Sequence, residues 1–107
     1  MNRGDLYRVR RPTEDPKHAR VYVVVSRDAL VASRFNSVIC APVHSQRHGI
    51  TTEVHVGIDE GLKHDSAVLC DGLESLPKSR LTDYVGSLSP LKLLELRTAL
   101  RIALAAE

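Results

Sequence analysis

Polar side chains stand at the ends of three apolar runs in this chain of 107 residues. Arg20 precedes the run VYVVVS, and His44 and Ser45 follow the run SVICAPV. Asp71 follows a third run, SAVLC. An arginine is always protonated and can grip a phosphate with two hydrogen bonds, whereas a histidine transfers protons near neutral pH. If these strand ends meet in one cleft, they would bind a phosphate and move protons beside it.

Each of these residues also has a purely structural interpretation. Arg20 could form an ion pair with Asp71 or Glu74 at the rim of a sheet. His44 could be a loop histidine that is hydrogen-bonded to the backbone. Asp71 could simply form a turn before Gly72. The residues alone leave both sets of interpretations open.

Metal and cofactor chemistry has little support in the sequence. Cys40, His44 and His48 are evenly spaced, but a structural zinc site needs four ligands, usually in tight pairs, and no CxxC or HExxH motif is present. No glycine-rich phosphate loop and no GxSxG motif occurs. Cys40 and Cys70 both lie in apolar runs, so we expect free, buried thiols. We therefore predict no metal and no cofactor.

The composition predicts a single domain spanning residues 1–107. Fifteen basic and 13 acidic side chains give a net charge of only +2, so any basic patch must be local. No apolar run approaches the roughly 20 residues that cross a membrane, and no apolar leader segment begins the chain. These features predict a cytoplasmic protein that does not interact with a membrane.

Short apolar runs separated by turn residues predict a mainly β fold, a compact barrel or sandwich. The first predicted strand is half-exposed, and Pro42 is expected at a strand end or on an edge, because it has no N–H to donate. The predicted strands are 6–10, 21–26, 37–43, 51–58, 66–71, 73–76 and 84–86. Within 51–58, Val54 and Val56 alternate with Glu53 and His55, so this strand is expected to be half-exposed, with His55 as a solvated surface residue. Residues 11–17, with two prolines, are predicted to form a loop.

Two helical segments complete this prediction. A short turn over residues 28–31 could be capped by Asp28. Ser89 and Pro90 are typical of a helix start, and a C-terminal helix is expected after them. Its apolar stripe consists of Leu93, Leu96, Leu100, Ala103 and Leu104.

Five segments together resemble the MazF/PemK toxin (mRNA interferase) family. They are RGDLY (3–7), RVYVVVS (20–26), APVHSQ (41–46), GLKHDSAVLCD (61–71) and LPKSRL (76–81). They occur in the family's order and span essentially the whole chain. The resemblance implies an SH3-like β-barrel with a C-terminal helix, which acts as a homodimer. It also implies a metal-independent endoribonuclease that cuts single-stranded RNA at short sequences and is inhibited by a cognate antitoxin.

The resemblance also implies which positions serve the scissile phosphate, namely those of Arg20 and His44. The family has a threonine where this chain has His44. We expect Arg20 to clamp the phosphate, His44 to act as general base or acid, and Ser45 to donate to a phosphate oxygen. Asp71 is expected to orient Arg20 or His44. The side chains expected to bind RNA are Gln46, Arg47, Lys78 and Arg80.

Two competing functions belong to other classes. A toxin similar to CcdB would inhibit DNA gyrase by binding it, without chemistry. An inactive relative would bind only RNA or the antitoxin, and the replacement of threonine by His44 makes this alternative relevant.

Overall fold

The computed structural model describes residues 1–10 and 19–106. The predicted loop 11–17 and His18 lie outside the described residues. Seven strands form one curled antiparallel sheet in the order β4-β5-β3-β2-β1-β7, and β6 pairs with β3. The strands are β1 (Asp5–Val9), β2 (Arg20–Val24), β3 (Ser37–His44), β4 (Glu53–Val56), β5 (Ser66–Leu69), β6 (Glu74–Pro77) and β7 (Asp83–Ser87), and the helices are α1 (Asp28–Ala32) and α2 (Pro90–Ala103). The predicted mainly β fold with a C-terminal helix is confirmed.

Each face of the sheet carries a buried apolar cluster, and side-chain alternation decides which residue belongs to which cluster. Leu6, Val23 and Val68 face one cluster, to which Leu96 and Leu100 of α2 contribute. The opposite face forms a second cluster, which contains Tyr7, Val9, Tyr22, Val24, Val31, Val38, Cys40, Leu76 and Leu81. The prediction of a half-exposed first strand is therefore wrong, because β1 is covered on both sides and is mostly buried.

β3 changes partners along its length, and this explains the position of Pro42. Residues 37–40 pair with β6, whereas Val43 and His44 pair with β5. Pro42 lies inside the strand opposite Tyr22, not at a strand end or an edge. On its other side, Pro42 lies between the part of β3 that pairs with β6 and the part that pairs with β5. Gly72 packs there so closely that a Cβ at position 72 would lie 3.3 Å from the proline ring. Because the ladder is interrupted there, the missing N–H of proline is tolerated.

The C-terminal helix begins as predicted. The Ser89 Oγ accepts a hydrogen bond from the Lys92 N–H at 3.2 Å, and proline occupies the first turn. Leu96 and Leu100 are buried, but Leu104 is exposed because the helix ends at Ala103. Within the described residues, neither α2 nor any other helix is long and apolar enough to cross a membrane.

The short helix α1 is not capped in the way the sequence predicts. Its N-cap residue is Arg27, and no side chain caps it. The Asp28 Oδ1 instead accepts a hydrogen bond from the Arg3 N–H at 3.0 Å. Asp28 therefore ties the start of the chain to α1.

Both cysteines are free and buried, as predicted. Burial raises the pKa of the Cys40 thiol to about 12 and that of the Cys70 thiol to about 11. The thiolate is the reactive form, so we expect neither cysteine to react with Ellman's reagent at about pH 8 while the protein is folded. Both should react at once in guanidinium chloride, and rapid labelling of the native protein would contradict their burial.

Candidate functional site

Arg20 and His44 lie on the same face of the sheet. β2 and β3 are antiparallel, with Tyr22 opposite Pro42. Arg20 comes two residues before Tyr22, and His44 comes two residues after Pro42. Side chains two residues apart on a strand point to the same face, and continuing this register would set Arg20 opposite His44. Arg20 is exposed and His44 half-buried, so both can meet a ligand.

The same face continues across two further strands. His44 pairs with Ala67 of β5, and Ala67 pairs with His55 of β4. Because paired residues share a face, Arg20, His44, Ala67 and His55 form one line of side chains, which we call the outer row. Ala67 is only 1% exposed and is the smallest member. The outer row therefore carries a cation at one end and two imidazoles flanking an alanine.

His55 is held by a carboxylate. Its Nε2 lies 3.3 Å from the Asp65 Oδ1, and the contact is an ion pair when the ring is protonated. Gly57 makes room for this carboxylate, since a Cβ at position 57 would lie 3.1 Å from the same oxygen. Both partners are substantially exposed, so the pair is accessible from solvent.

A cavity of about 340 Å³ opens beside Arg20. Ser45, predicted to contact a phosphate, lines this cavity together with Arg20. Lys63 and His64 also line it, although neither was predicted to have a functional role. The cavity therefore combines cationic side chains with hydroxyl and imidazole hydrogen-bonding groups.

A second depression lies next to it and is rich in arginine. Arg8, Arg10 and Arg80 line its volume of about 400 Å³. Arg8 lines both concavities, so they are adjacent, and we call the two together the cationic groove. The Arg8 Nη1 lies 3.7 Å from the Asp83 Oδ2, and this exposed ion pair offsets part of the charge. Arg80, predicted to bind RNA, thus lines this groove.

Gln46 and Arg47 follow β3 in an exposed segment at 45–50. The Glu53 carboxylate accepts hydrogen bonds from the N–H groups of His48 and Ile50. These bonds fix the segment to the start of β4 while the side chains of Gln46 and Arg47 stay exposed.

Lys78 has a structural role that the sequence did not indicate. Its Nζ donates hydrogen bonds to the carbonyl oxygens of Leu30 at 3.1 Å and of Ser33 at 2.8 Å. These carbonyls lie at the C-terminal end of α1, where a cation is favourable. Lys78 therefore anchors α1, and its ammonium group faces these carbonyls.

The hydrogen-bond partner found for the Asp71 carboxylate is a threonine, not Arg20 or His44. Its Oδ2 accepts a hydrogen bond from the Thr52 Oγ1 at 2.6 Å. We therefore interpret Asp71 as a turn residue that joins the β5–β6 connection to β4.

The structural alternative for Arg20, an ion pair with Glu74, also conflicts with the register. Glu74 pairs with Cys40, and Cys40 pairs with Val24. Val24 is four residues from Arg20, again about 13 Å along the strand. Glu74 thus lies beyond the reach of the Arg20 side chain.

The evenly spaced Cys40, His44 and His48 do not converge. Cys40 is fully buried in the second cluster, whereas His48 lies in the exposed segment after β3. In the part of the chain that the structure describes, no group of three or more His, Cys, Asp or Glu side chains is arranged to hold a metal ion.

Sequence reasoning missed several members of this surface. His55 was interpreted as a solvated residue, because alternation along the strand shows only that it faces outward. The positions of Arg8 and Arg10 could have predicted that they lie together, since side chains two residues apart on a strand point to the same face. Lys63 and His64 lie in a connecting loop, and only the tertiary structure brings them to Arg20.

Known proteins show the same fold and sequence pattern. The family model for PemK-like, MazF-like toxins of type II toxin–antitoxin systems matches residues 2–104. A curated relative, the probable endoribonuclease MazF2 of Mycobacterium tuberculosis, is 28% identical over 102 residues, which cover 94% of this chain and 95% of the relative.

Solved structures agree with this match. An endoribonuclease from a mycobacterial species, in complex with its cognate antitoxin, is 28% identical. The match covers 100% of this chain and 97% of that chain, with a TM-score of 0.85. The match to a chain of a MazE–MazF complex from Deinococcus radiodurans covers 100% of this chain and 97% of that chain, with a TM-score of 0.77. At 23% identity, this match supports the fold. The chain therefore belongs to the PemK-like, MazF-like family of toxins of type II toxin–antitoxin systems.

Proposed function

We propose that this protein is an endoribonuclease that cleaves single-stranded RNA at short sequences without a metal ion. The observation that carries the proposal is the outer row beside the cationic groove, in which Arg20 and His44 share a face at neighbouring strand ends. Relatives that share 28% of the sequence over nearly the full chain are named endoribonucleases.

RNA supplies its own nucleophile, so the protein has only to move protons and stabilise charge. A base removes the proton of the 2′-hydroxyl, and the 2′-oxygen then forms a bond to phosphorus. The bond from phosphorus to the 5′-oxygen breaks, and that oxygen takes up a proton. The products are a 2′,3′-cyclic phosphate and a 5′-hydroxyl end.

We assign Arg20 to clamping the phosphate, because a guanidinium can donate two hydrogen bonds and stabilise the charge of the transition state. His44 transfers a proton. Ser45, which lines the cavity beside Arg20, donates to a phosphate oxygen. These roles use groups that the fold holds at neighbouring strand ends.

The flanking nucleotides lie along the cationic groove in this proposal. Arg80 contacts their phosphates together with Arg8 and Arg10, which line the same depression. Gln46 and Arg47 contact RNA from the exposed segment after β3. Lys78 and Asp71 are left out, because their contacts are with α1 and with Thr52.

The wider biological setting is also part of the proposal. The chain acts as one domain over residues 1–107, as a homodimer, in the cytoplasm. A cognate antitoxin inhibits it, as the antitoxin complex of the mycobacterial endoribonuclease suggests.

Purified protein incubated with a long single-stranded RNA in the presence of EDTA tests the activity. We expect cuts at fixed short sequences, with 5′-hydroxyl ends, that EDTA does not prevent. RNA that is bound but stays intact would indicate an inactive relative. Intact RNA together with inhibition of gyrase would indicate a toxin of the CcdB type.

A further inference from the structure

We propose that His55 is a second catalytic histidine, which donates a proton to the leaving 5′-oxygen while His44 accepts the proton of the 2′-hydroxyl. The inference rests on the proposed ribonuclease function and adds the group that protonates the leaving 5′-oxygen, which that function leaves unassigned. A single imidazole cannot hold both the nucleophile and the leaving group, because these lie on opposite sides of the phosphorus in an in-line displacement.

The strand register places the two histidines suitably for this task. His44 and His55 flank Ala67 on one face, one strand step away on each side. Adjacent antiparallel strands are about 5 Å apart, so the two Cα atoms are about 10 Å apart. Ala67 between them is covered, at 1% exposed, whereas the His55 side chain is 43% exposed and His44 half-buried, so a phosphodiester would reach both rings from the solvent side. Arg20 continues the same row on the far side of His44.

The environment of His55 suits a proton donor. Its Nε2 lies 3.3 Å from the Asp65 carboxylate, which leaves Nδ1 for the leaving oxygen. The contact is an ion pair in the protonated ring, and this is the form that a general acid needs at the start of the cycle. After the transfer, the neutral ring still donates from Nε2 to the carboxylate. Asp65 thus acts as a positioning residue, and the missing side chain of Gly57 gives it room.

The two histidines account for both proton transfers in the reaction. The His44 imidazole takes the proton of the 2′-hydroxyl as the 2′-oxygen bonds to phosphorus. The His55 Nδ1 gives its proton to the 5′-oxygen as that oxygen leaves. Water then exchanges the two protons and restores both rings for the next cycle.

A substrate with a modified leaving group tests this role directly. The cut site is first mapped with the wild-type protein, and an oligoribonucleotide is then made with sulfur in place of the bridging 5′-oxygen at that site. A thiolate leaves without protonation, because thiols are far more acidic than alcohols. We expect His55→Ala to slow cleavage of the normal RNA about 100-fold, and to cleave the sulfur substrate within about threefold of the wild-type rate.

Controls separate this role from a structural one. Asp65→Asn should show a smaller loss with the same rescue by sulfur, which a purely structural carboxylate would not produce. His55→Gln, with a side chain of similar size, should match His55→Ala. Arg97→Ala removes an exposed side chain of α2, outside the outer row and the cationic groove, and should cleave both substrates normally.

The outcomes distinguish failure of the proposed ribonuclease function from failure of the role of His55. If the wild-type protein cleaves no RNA, the proposed function fails, and the role of His55 fails with it. If the wild type cleaves but His55→Ala cleaves equally fast, only the role of His55 is overturned. A slow His55→Ala variant that sulfur does not rescue would also overturn the role as acid.

Discussion

Arg20→Ala should reduce RNA cleavage by about 100- to 1,000-fold while the fold persists. The guanidinium lies at the first residue of β2, exposed at the rim of the sheet, so its removal leaves no buried cavity. What is lost is the fixed positive charge at the position where negative charge develops on the phosphate. Single-turnover cleavage of a defined oligoribonucleotide measures this effect without interference from product release.

Two matched variants make this result specific. Arg20→Lys keeps the charge but cannot form a bidentate contact, so it should regain only part of the rate. Arg97→Ala removes an equally exposed arginine from α2 and should leave the rate unchanged. Normal cleavage by a folded Arg20→Ala protein, judged by its circular dichroism and melting temperature, would refute the assignment.

His44→Ala should lower the rate by about 100-fold or more and change the pH–rate profile. A general base must be unprotonated, so the wild-type rate should rise with pH on the acidic side of the profile. Without the ring, this rise at the acidic side should disappear. Rates measured from about pH 5 to about pH 9 at constant ionic strength provide the test.

The family threonine offers a sharper comparison at this position. His44→Thr restores the family residue and should cleave with a profile that lacks the titration of the imidazole. A His44→Thr protein that cleaves as fast as the wild type, with an unchanged profile, would argue against proton transfer by His44. The other histidines are intact in this variant, so any change in the profile can be attributed to position 44.

Local patterns predicted much of the fold for physical reasons. The alternation of Val54 and Val56 with His55 correctly assigned the two faces of β4, because strand side chains alternate. The serine and proline before α2 predicted its start, since they satisfy or remove unpaired N–H groups. Pro42 was misplaced, because the sequence does not show that β3 changes partners beside it.

The sequence by itself determined the types of the reactive residues and their places at strand ends. Arg20, His44 and Ser45 could be selected because a fixed cation, an imidazole and a hydroxyl have chemistry that does not depend on their neighbours. The order of five short segments also indicated the family, since each segment retains residues that the family uses.

Only the tertiary structure decided which of these residues act together. The register of four strands, set by contacts between residues far apart in the sequence, lines up Arg20, His44 and His55. Tertiary contacts also pair Asp71 with Thr52 and direct Lys78 toward α1. Strand pairing is non-local and a shift of one residue exchanges the two faces of a strand, so no local pattern could have fixed these relations.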